Sequence, residues 1–363
     1  MGFRCGIVGL PNVGKSTIFN ALSRARAPAE NYPFCTIEPN VGVVNVPDAR
    51  LQKIAAIVQP QKAIPAIIEF VDLAGLVPGA SRGEGLGNRF LGHIREVDAL
   101  IHVVRIFEDE DILHVANRID PLADVESIQT ELALADLETL GRAIERAHTA
   151  SKGGDKTQLQ FLKIFEQARK CLDENLSLRF GSLNPREHAV LEPLCLLTSK
   201  PVVYIANAGE EKLAGDRHLD RIRAHAAAEQ AEVVVISARI EEEIARLATG
   251  DRAAFLREMG FERSGLDRVI RAGYRLLGLH TFFSTSPKEV RAWTIPLGTR
   301  APQAAGKIHT DFERGFIRVE TISCDDFLHF CGEQGAKEAG RLRLEGRDYV
   351  VQDGDIMKFR FNV

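Results

Sequence analysis

One stretch near the start of the chain decides the fold: Gly9-Leu10-Pro11-Asn12-Val13-Gly14-Lys15-Ser16, which matches the phosphate-binding pattern GxxxxGKS at every defined position. Glycines let the backbone curl so that successive N–H groups point at phosphate oxygens, and the following helix adds partial positive charge at its N-terminus. The pattern requires a strand before it and a helix after it. Residues 5–8 form a short apolar run and residues 16–25 carry apolar side chains at helical spacing, so both are indicated. The sequence therefore predicts a nucleotide site at this turn.

The same chemistry assigns the residues around the phosphates and the metal. Lys15 is expected to reach the β- and γ-phosphates, and the Ser16 hydroxyl to bind Mg²⁺. A predicted strand at 66–71 ends in Asp72-Leu73-Ala74-Gly75, the DxxG pattern, in which the Asp holds a magnesium-bound water and the Gly N–H senses the γ-phosphate. Thr36, in the polar loop 31–40, lies where a switch threonine would complete the Mg²⁺ shell. A solvated loop threonine is the alternative for Thr36.

The residue that activates water is the least defined part of this site. In Ras-like enzymes a Gln that orients the attacking water directly follows DxxG. Here that position is Leu76, so hydrolysis is predicted to be slow or to use another group. His114 follows the predicted strand 99–104 and an acidic run, and a histidine can position or deprotonate water near neutral pH. A surface histidine without a catalytic role is the alternative.

Two later strands end in residues that would contact the base. The strand 201–206 ends in Asn207-Ala208-Gly209-Glu210, and the strand 233–236 ends in Ser237-Ala238, where Ras-like domains carry NKxD and SA. The Asp of NKxD accepts from two guanine donors, whereas Glu210 is one methylene longer and Ala208 replaces the lysine. Guanine should therefore lose its advantage, because strong discrimination needs both hydrogen-bond partners correctly placed. Segment 117–120, Asn-Arg-Ile-Asp, matches the letters of NKxD more closely, but it lies well beyond the end of the predicted strand 99–104. Asn207 directly follows its strand, so we favour Asn207 as the base contact.

Length and composition indicate an ordinary globular protein of two or three domains. The chain has 363 residues, a net charge of −4, 45% hydrophobic and 26% charged residues, which excludes a wholly basic nucleic-acid coat. Its six cysteines form no CxxC pair, so neither a zinc site nor a disulfide framework is indicated. The N-terminus runs directly into the first strand and no long apolar run occurs, so we expect a cytoplasmic protein, with no membrane partner.

Two further segments depart from the α/β pattern. Residues 126–198 carry apolar positions spaced by three and four around a break at 151–156, which predicts an antiparallel helical hairpin with arms of about 35 Å. From about residue 281, alternating strands are predicted at 289–295, 316–321, 348–351 and 356–361, with a helix at 325–330. Scattered cationic residues in this C-terminal region, which could contact RNA phosphates or simply be solvated, are Lys307, His309, Arg314, Arg318, Lys337, Arg341, Arg343 and Arg347.

Taken together, the motifs resemble one family, the Obg-like ATPases of the YchF type. The resemblance rests on GLPNVGKS, NYPFCTIEPN, DLAGLVPGASRGEGLGN and NxxE, and extends through KEVRAWTIPLGTRAPQAAGKIHTDFERGFIR to the C-terminal GEQGAKEAGRLRLEGRDYVVQDGDIMKFRFNV. It implies a Ras-like P-loop domain (1–125 and 199–280), a helical coiled-coil insertion (126–198) and a β-grasp, ubiquitin-like TGS domain (281–363). It also implies ATP preferred over GTP, slow hydrolysis, and work on the ribosome or RNA in translation or stress control.

The resemblance also assigns residues. The implied phosphate contacts are Asn12, Val13, Gly14, Lys15, Ser16 and Thr17, the Mg²⁺ ligands include Ser16 and Thr36, and the base contacts are Asn207, the Ala208 backbone and Glu210. His114 aligns with the histidine proposed to replace the missing Gln, and Asn12 resembles the asparagine that holds K⁺ in potassium-activated relatives. A monomer is expected. A GTP-preferring translation GTPase and a nucleotide-regulated binding module with negligible turnover are the competing hypotheses.

Overall fold

The computed structural model describes residues 3–24, 40–73, 86–109, 118–152, 155–180, 183–212 and 216–362. The elements up to the first long helix are β1 (Arg4–Val8), α1 (Lys15–Arg24), β2 (Val41–Asn45), α2 (Ala49–Val58), β3 (Lys62–Ile64), β4 (Ile67–Asp72), α3 (Leu86–Arg95) and β5 (Ala99–Arg105). The middle of the chain contains α4 (Pro121–Ser151), α5 (Lys156–Asp173), α6 (Pro185–Leu191), β6 (Val202–Asn207), α7 (Arg217–Ala228), β7 (Glu232–Ile236), α8 (Ala238–Arg246), α9 (Thr249–Glu258) and α10 (Gly265–Leu276). The C-terminal part contains β8 (Leu279–Thr285), β9 (Glu289–Pro296), α11 (Ala301–Ile308), α12 (Thr310–Arg314), β10 (Phe316–Ile322), α13 (Cys324–His329), α14 (Glu333–Glu338), β11 (Arg343–Glu345) and β12 (Ile356–Phe361).

The first sheet has the strand order β2-β4-β1-β5-β6-β7 and is parallel except for β2, which pairs antiparallel with β4. Every residue of β5 is buried, as a parallel strand covered on both faces requires. Because parallel strands end at one edge of the sheet, the end of β1, Asp72 of β4 and Asn207 of β6 converge there. The α/β P-loop fold predicted from the sequence is confirmed.

The helical segment between β5 and β6 differs from the predicted hairpin. Its first helix, α4, begins at Pro121 rather than near residue 126, because Asp120 caps it and proline suits the first helical position. This helix has 31 residues whereas α5 has 18, so the arms are about 46 Å and 27 Å long rather than equal. No helix in the described part of the chain is both long enough and apolar enough to cross a lipid bilayer.

The helical segment has a hydrophobic cluster of its own and a buried polar anchor. The cluster is formed by side chains of α4, α5 and α6, among them Leu140, Phe165 and Leu191. The anchor is Asp136 of α4, which is 1% exposed and accepts hydrogen bonds from the Leu197 and Thr198 amides, at 2.8 Å each, and from the Thr198 hydroxyl at 2.7 Å. A buried carboxylate with three donors ties α4 to the chain that enters β6.

The second sheet has the order β11-β10-β12-β8-β9-β3. Its central strands β8 and β12 are parallel while β8 and β9, and β10 and β12, are antiparallel, which is the arrangement expected of a β-grasp module. One predicted strand is wrong: residues 348–351 make only an isolated bridge from Val350 to Arg300, and the edge strand is Arg343–Glu345. The reason is that the segment crosses the start of α11, where the Tyr349 carbonyl accepts from the Ala301 amide.

The edge strand β3, absent from the sequence prediction, joins the two sheets. It belongs in sequence to the nucleotide-binding part of the chain, between α2 and β4, but it pairs in parallel with β9 of the second sheet. Lys62 lies opposite Glu289 and Ile64 opposite Arg291. Nearby, Arg50 of α2 donates to Asp353 at 2.8 Å and to Asp48 at 2.7 Å. The C-terminal module is therefore bound to the rest of the chain by both backbone and charged contacts.

Candidate nucleotide-binding site

The turn between β1 and α1 has the geometry of a phosphate-binding loop. Asn12 and Gly14 have positive φ angles of 63° and 97°, and α1 begins with the Ile18 amide donating to the Gly14 carbonyl at 3.0 Å. A Cβ at Gly14 would collide with the side-chain nitrogen of Asn207, so glycine is required both for the backbone conformation and for the close approach.

Lys15 lies folded onto the loop. It is 7% exposed, and its ammonium donates to the carbonyls of Gly9 at 3.0 Å and Leu10 at 2.7 Å. Burial lowers the pKa of Lys15 to about 8, and the negative charge of Asp72 opposes this shift. Because its hydrogen bonds go to neutral carbonyls, the ammonium would bind a phosphate more strongly than it binds the loop.

Asp72 and Ser16 supply oxygen ligands of the kind that Mg²⁺ prefers. Burial raises the pKa of Asp72, while the Lys15 charge and a hydrogen bond from Ser16 lower it. A hydroxyl and a carboxylate within hydrogen-bond reach, at the edge where phosphates are expected, fit a Mg²⁺ site. The other predicted residues of this region, Thr36, Gly75, Leu76 and His114, lie outside the described residues.

Asn207 joins the phosphate loop to the strand ends. It is 3% exposed, its Nδ2 donates to the Val13 carbonyl at 2.9 Å, and its Oδ1 accepts from the Ala238 amide at 2.9 Å. Next to it, Ser237 caps α8, and the Ala208 amide donates to the Ile236 carbonyl at 2.8 Å. The sequence predicted Asn207 as a base contact, but it missed that this side chain holds the loop in place.

A cavity of about 850 Å³ runs along this edge of the sheet, within the size range of small-molecule sites. The predicted residues that line it are Asn12, Gly14, Lys15, Ser16, Thr17, Asn207, Ala208, Glu210 and Ser237. Val13 does not line it, because its side chain is buried in the core. Glu210 is exposed in a short 3₁₀ turn on the cavity wall.

A second wall of the cavity was missed by the sequence analysis. It consists of Phe107, Glu108 and Asp109, which directly follow β5, and Glu242 and Arg239 of α8 also contribute. From sequence, the acidic run after β5 reads only as a spacer before His114. The position of this run, at the carboxyl end of a central parallel strand, is the signal that could have found it.

Comparisons with known proteins find relatives over the full length of the chain. Two family models match: one described as 50S ribosome-binding GTPase, over residues 4–136, and YchF-GTPase_C, described as a protein of unknown function, over residues 279–362. The chain is 56% identical to the Ribosome-binding ATPase YchF of Escherichia coli O157:H7 and 51% identical to that of Bacillus subtilis, covering 100% of each chain.

Solved structures give the same picture. The chain is similar to the Schizosaccharomyces pombe YchF GTPase, with 35% identity, a TM-score of 0.90, and coverage of 99% of this chain and 98% of that one. A GTP binding protein from Pyrococcus horikoshii, 21% identical with a TM-score of 0.63 and coverage of 99% and 100%, shares the fold.

Proposed function

This chain belongs to the YchF family, and on that premise we propose that it is a Mg²⁺-dependent ATPase that binds ATP in preference to GTP, hydrolyses it slowly and acts as a nucleotide-dependent switch on the ribosome. The observation that carries the proposal is the single cavity running from Lys15 and Ser16 to Ala208 and Glu210. One end of this cavity carries the phosphate-binding residues, and the other end lacks the Lys and Asp of the guanine-binding NKxD motif. Ribosome binding is taken from the names of the bacterial relatives, and it implies a cytoplasmic protein.

The preference for adenine is argued from the residues at the base end. Ala208 carries no ammonium and Glu210 is exposed on the wall, so neither reproduces the NKxD geometry. The Asn207 amide, after its two contacts with the protein, retains one N–H and one lone pair. Adenine and guanine both offer an acceptor at N7 to this N–H, so Asn207 can hold either base and the preference depends on Ala208 and Glu210.

The roles at the phosphate end follow from charge. Lys15 would exchange its two carbonyl partners for phosphate oxygens and neutralise the charge that develops during phosphoryl transfer. Ser16, Asp72 and Thr36 would hold Mg²⁺, which would act as a Lewis acid and stabilise the negative charge of the phosphates. Leu76 cannot orient water, so turnover is slow, and we assign His114 the substitute role. Asn12, in its left-handed conformation at the cavity, is the residue that would face K⁺.

GTP is the competing substrate, because the fission yeast relative is named a GTPase. Titration of fluorescent ATP and GTP analogues against the purified protein decides between them, and we expect ATP to bind about tenfold more tightly, or about 1.4 kcal/mol. A matched variant, Ala208→Lys with Glu210→Asp, restores the NKxD spelling and should move the preference toward GTP. Glu211→Asp, on the same wall, is the control. Tighter GTP binding by the wild type would overturn the assignment.

Hydrolysis separates the enzyme from a binding module without turnover. ATP hydrolysis is measured with and without ribosomes for the wild type and for His114→Ala. We expect slow hydrolysis that ribosomes change, and a loss of at least about 10²-fold for the variant if His114 acts as a general base. Binding of ATP without hydrolysis in either condition would replace the ATPase by a nucleotide-regulated ribosome-binding module. Equal rates in potassium and sodium would remove the role of Asn12 with K⁺.

A further inference from the structure

Arg105, the last residue of β5, is a cation in the interior of the protein. It is 2% exposed and is among the largest fully buried side chains of the described residues. A buried charge is costly unless it is paired and hydrogen-bonded, so its partners define its role. Neither the phosphate loop nor the base motif includes this residue.

Two hydrogen bonds and one ring contact of Arg105 are made with the missed wall of the nucleotide cavity. Its Nε donates to the Phe107 carbonyl at 3.2 Å, its Nη2 donates to the Asp109 carbonyl at 3.3 Å, and its guanidinium lies 4.3 Å from the centre of the Phe107 ring. Phe107, Glu108 and Asp109 all line the cavity. The planar guanidinium thus holds this wall at two carbonyls and one aromatic face, a geometry that lysine cannot reproduce.

The same wall is held from its other end by β6. The amides of Ile106 and Phe107 donate to the Asn207 carbonyl at 2.8 and 3.2 Å. The segment 106–109 is therefore fixed between the Asn207 backbone and the Arg105 side chain. A change at either support would move the wall relative to a bound nucleotide.

The long helix of the insertion packs on β5, the strand that ends in Arg105. Asp124, in the first turn of α4, is 6% exposed, and its neighbour Val125 packs in the same hydrophobic core as β5. Burial lowers the pKa of Arg105, whereas the negative charges of Asp109 and Asp124 raise it. The guanidinium, which is hydrogen-bonded to the wall of the cavity, is thus also attracted by the charge of a carboxylate in α4.

We propose that Arg105 is a positioning residue that couples helix α4 to the base end of the nucleotide cavity, so that the placement of α4 sets the affinity for nucleotide through this side chain. This inference rests on the proposed nucleotide binding. Binding couplings are reciprocal, so nucleotide occupancy would in turn bias the placement of α4. A partner that engages the helical insertion would thereby change nucleotide affinity without contacting the cavity.

Arg105→Lys is the first test, because it keeps the positive charge but removes the planar guanidinium whose N–H groups donate to two carbonyls. We expect the Kd values of ATP and ADP to rise together, by about fivefold or more, in line with typical coupling energies between sites, while kcat stays within about twofold. Inorganic tripolyphosphate, which has no base, should bind wild type and variant equally. Unchanged ATP affinity in a folded Arg105→Lys protein overturns the inference.

Asp124→Asn tests the coupling from outside the cavity. It should weaken ATP binding in the wild-type background and should weaken it no further in the Arg105→Lys background. The double-mutant cycle would then give a non-zero coupling energy between Arg105 and Asp124 for ATP binding. Asp136→Asn is the matched control, since it removes a buried carboxylate of the same helix that contacts Leu197 and Thr198 instead. If it weakens ATP binding as much as Asp124→Asn, the effect is a general loosening of α4 and the inference fails.

The outcomes separate this inference from the proposed function. A wild-type protein that binds neither ATP nor GTP refutes the proposed function, and the Arg105 inference with it. A wild-type protein that binds ATP, with additive effects of Arg105→Lys and Asp124→Asn, refutes only the inference. Thermal unfolding of each variant, recorded without nucleotide, identifies the temperature range in which the affinities are measured on folded protein.

Discussion

Replacing Asn207 by alanine should destabilise the protein even when no nucleotide is present. The amide makes two hydrogen bonds, from Nδ2 to the Val13 carbonyl and from the Ala238 amide to Oδ1, both at 2.9 Å. Each is worth about 1 kcal/mol net, and leaving a buried partner unsatisfied raises the cost to about 1–3 kcal/mol. Because Asn207 lines the cavity, water can reach part of the vacated space, so we expect a loss of about 2–4 kcal/mol in total.

Urea unfolding of the nucleotide-free protein measures this loss. At about 2.1 cal/mol/K of unfolding entropy per residue, a chain of 363 residues loses about 1.3 °C per kcal/mol, so the midpoint of thermal unfolding should fall by about 3–5 °C. ATP affinity should fall as well, because the phosphate loop loses the side chain that fixes Val13. Gln160→Ala removes an exposed amide from α5 and should leave the unfolding free energy within about 0.5 kcal/mol. An Asn207→Ala protein of wild-type stability that has lost only ATP binding would refute the structural role.

Further predictions concern the phosphate loop and the contact between the two sheets. Burial lowers the pKa of Lys15 from 10.5 to about 8, and a bound phosphate would raise this pKa again. ATP binding near pH 9 should therefore be accompanied by the uptake of a proton, whereas binding at pH 7 should not. Calorimetry in buffers of different ionisation enthalpy measures this uptake. In the protein without nucleotide, Lys15 is mostly deprotonated in the folded state but protonated in the unfolded state between pH 8 and pH 10.5. Because the unfolded state then binds more protons, the free energy of unfolding of the wild type, relative to that of Lys15→Met, should increase over this pH range. Gly14→Ala, with φ at 97°, should lose about 2 kcal/mol or more and abolish ATP binding, while Gly141→Ala, in open space on α4, should gain about 0.5–1 kcal/mol in urea unfolding. Arg50→Met should cost about 2–3 kcal/mol and speed amide exchange in β8, whereas Arg142→Met, at an exposed pair, should change stability by less than about 1 kcal/mol.

The sequence predicted those parts of the site that depend on local patterns. A glycine-rich turn between an apolar run and a helix fixes the phosphate loop, since the residue spacing alone determines where Lys15 and Ser16 lie. Asn207 was found in the same way, from its place at the end of a strand. Its hydrogen bonds to Val13 and Ala238 were not, because they join residues far apart in the sequence and leave no local pattern.

The features that sequence analysis missed are set by tertiary contacts. Arg105 reads as the polar end of an apolar strand, and only the packing of α4 over β5 shows that it is buried. The predicted start of α4 is too late because Asp120, which resembles the Asp of NKxD by letter, is the N-cap of this helix. Residues 348–351 alternate like a strand, yet they cross the start of α11 instead of joining the sheet.

The parallel pairing of β3 with β9 means that the C-terminal module is not a contiguous piece of the gene. A fragment starting at residue 279 would leave the backbone groups of β9, opposite residues 62–64, without partners. Such an open edge invites pairing with other chains. Exchanging this module between family members, or expressing it alone for binding studies, would therefore require grafting the short strand as well, or placing a charged residue or proline along the uncovered edge.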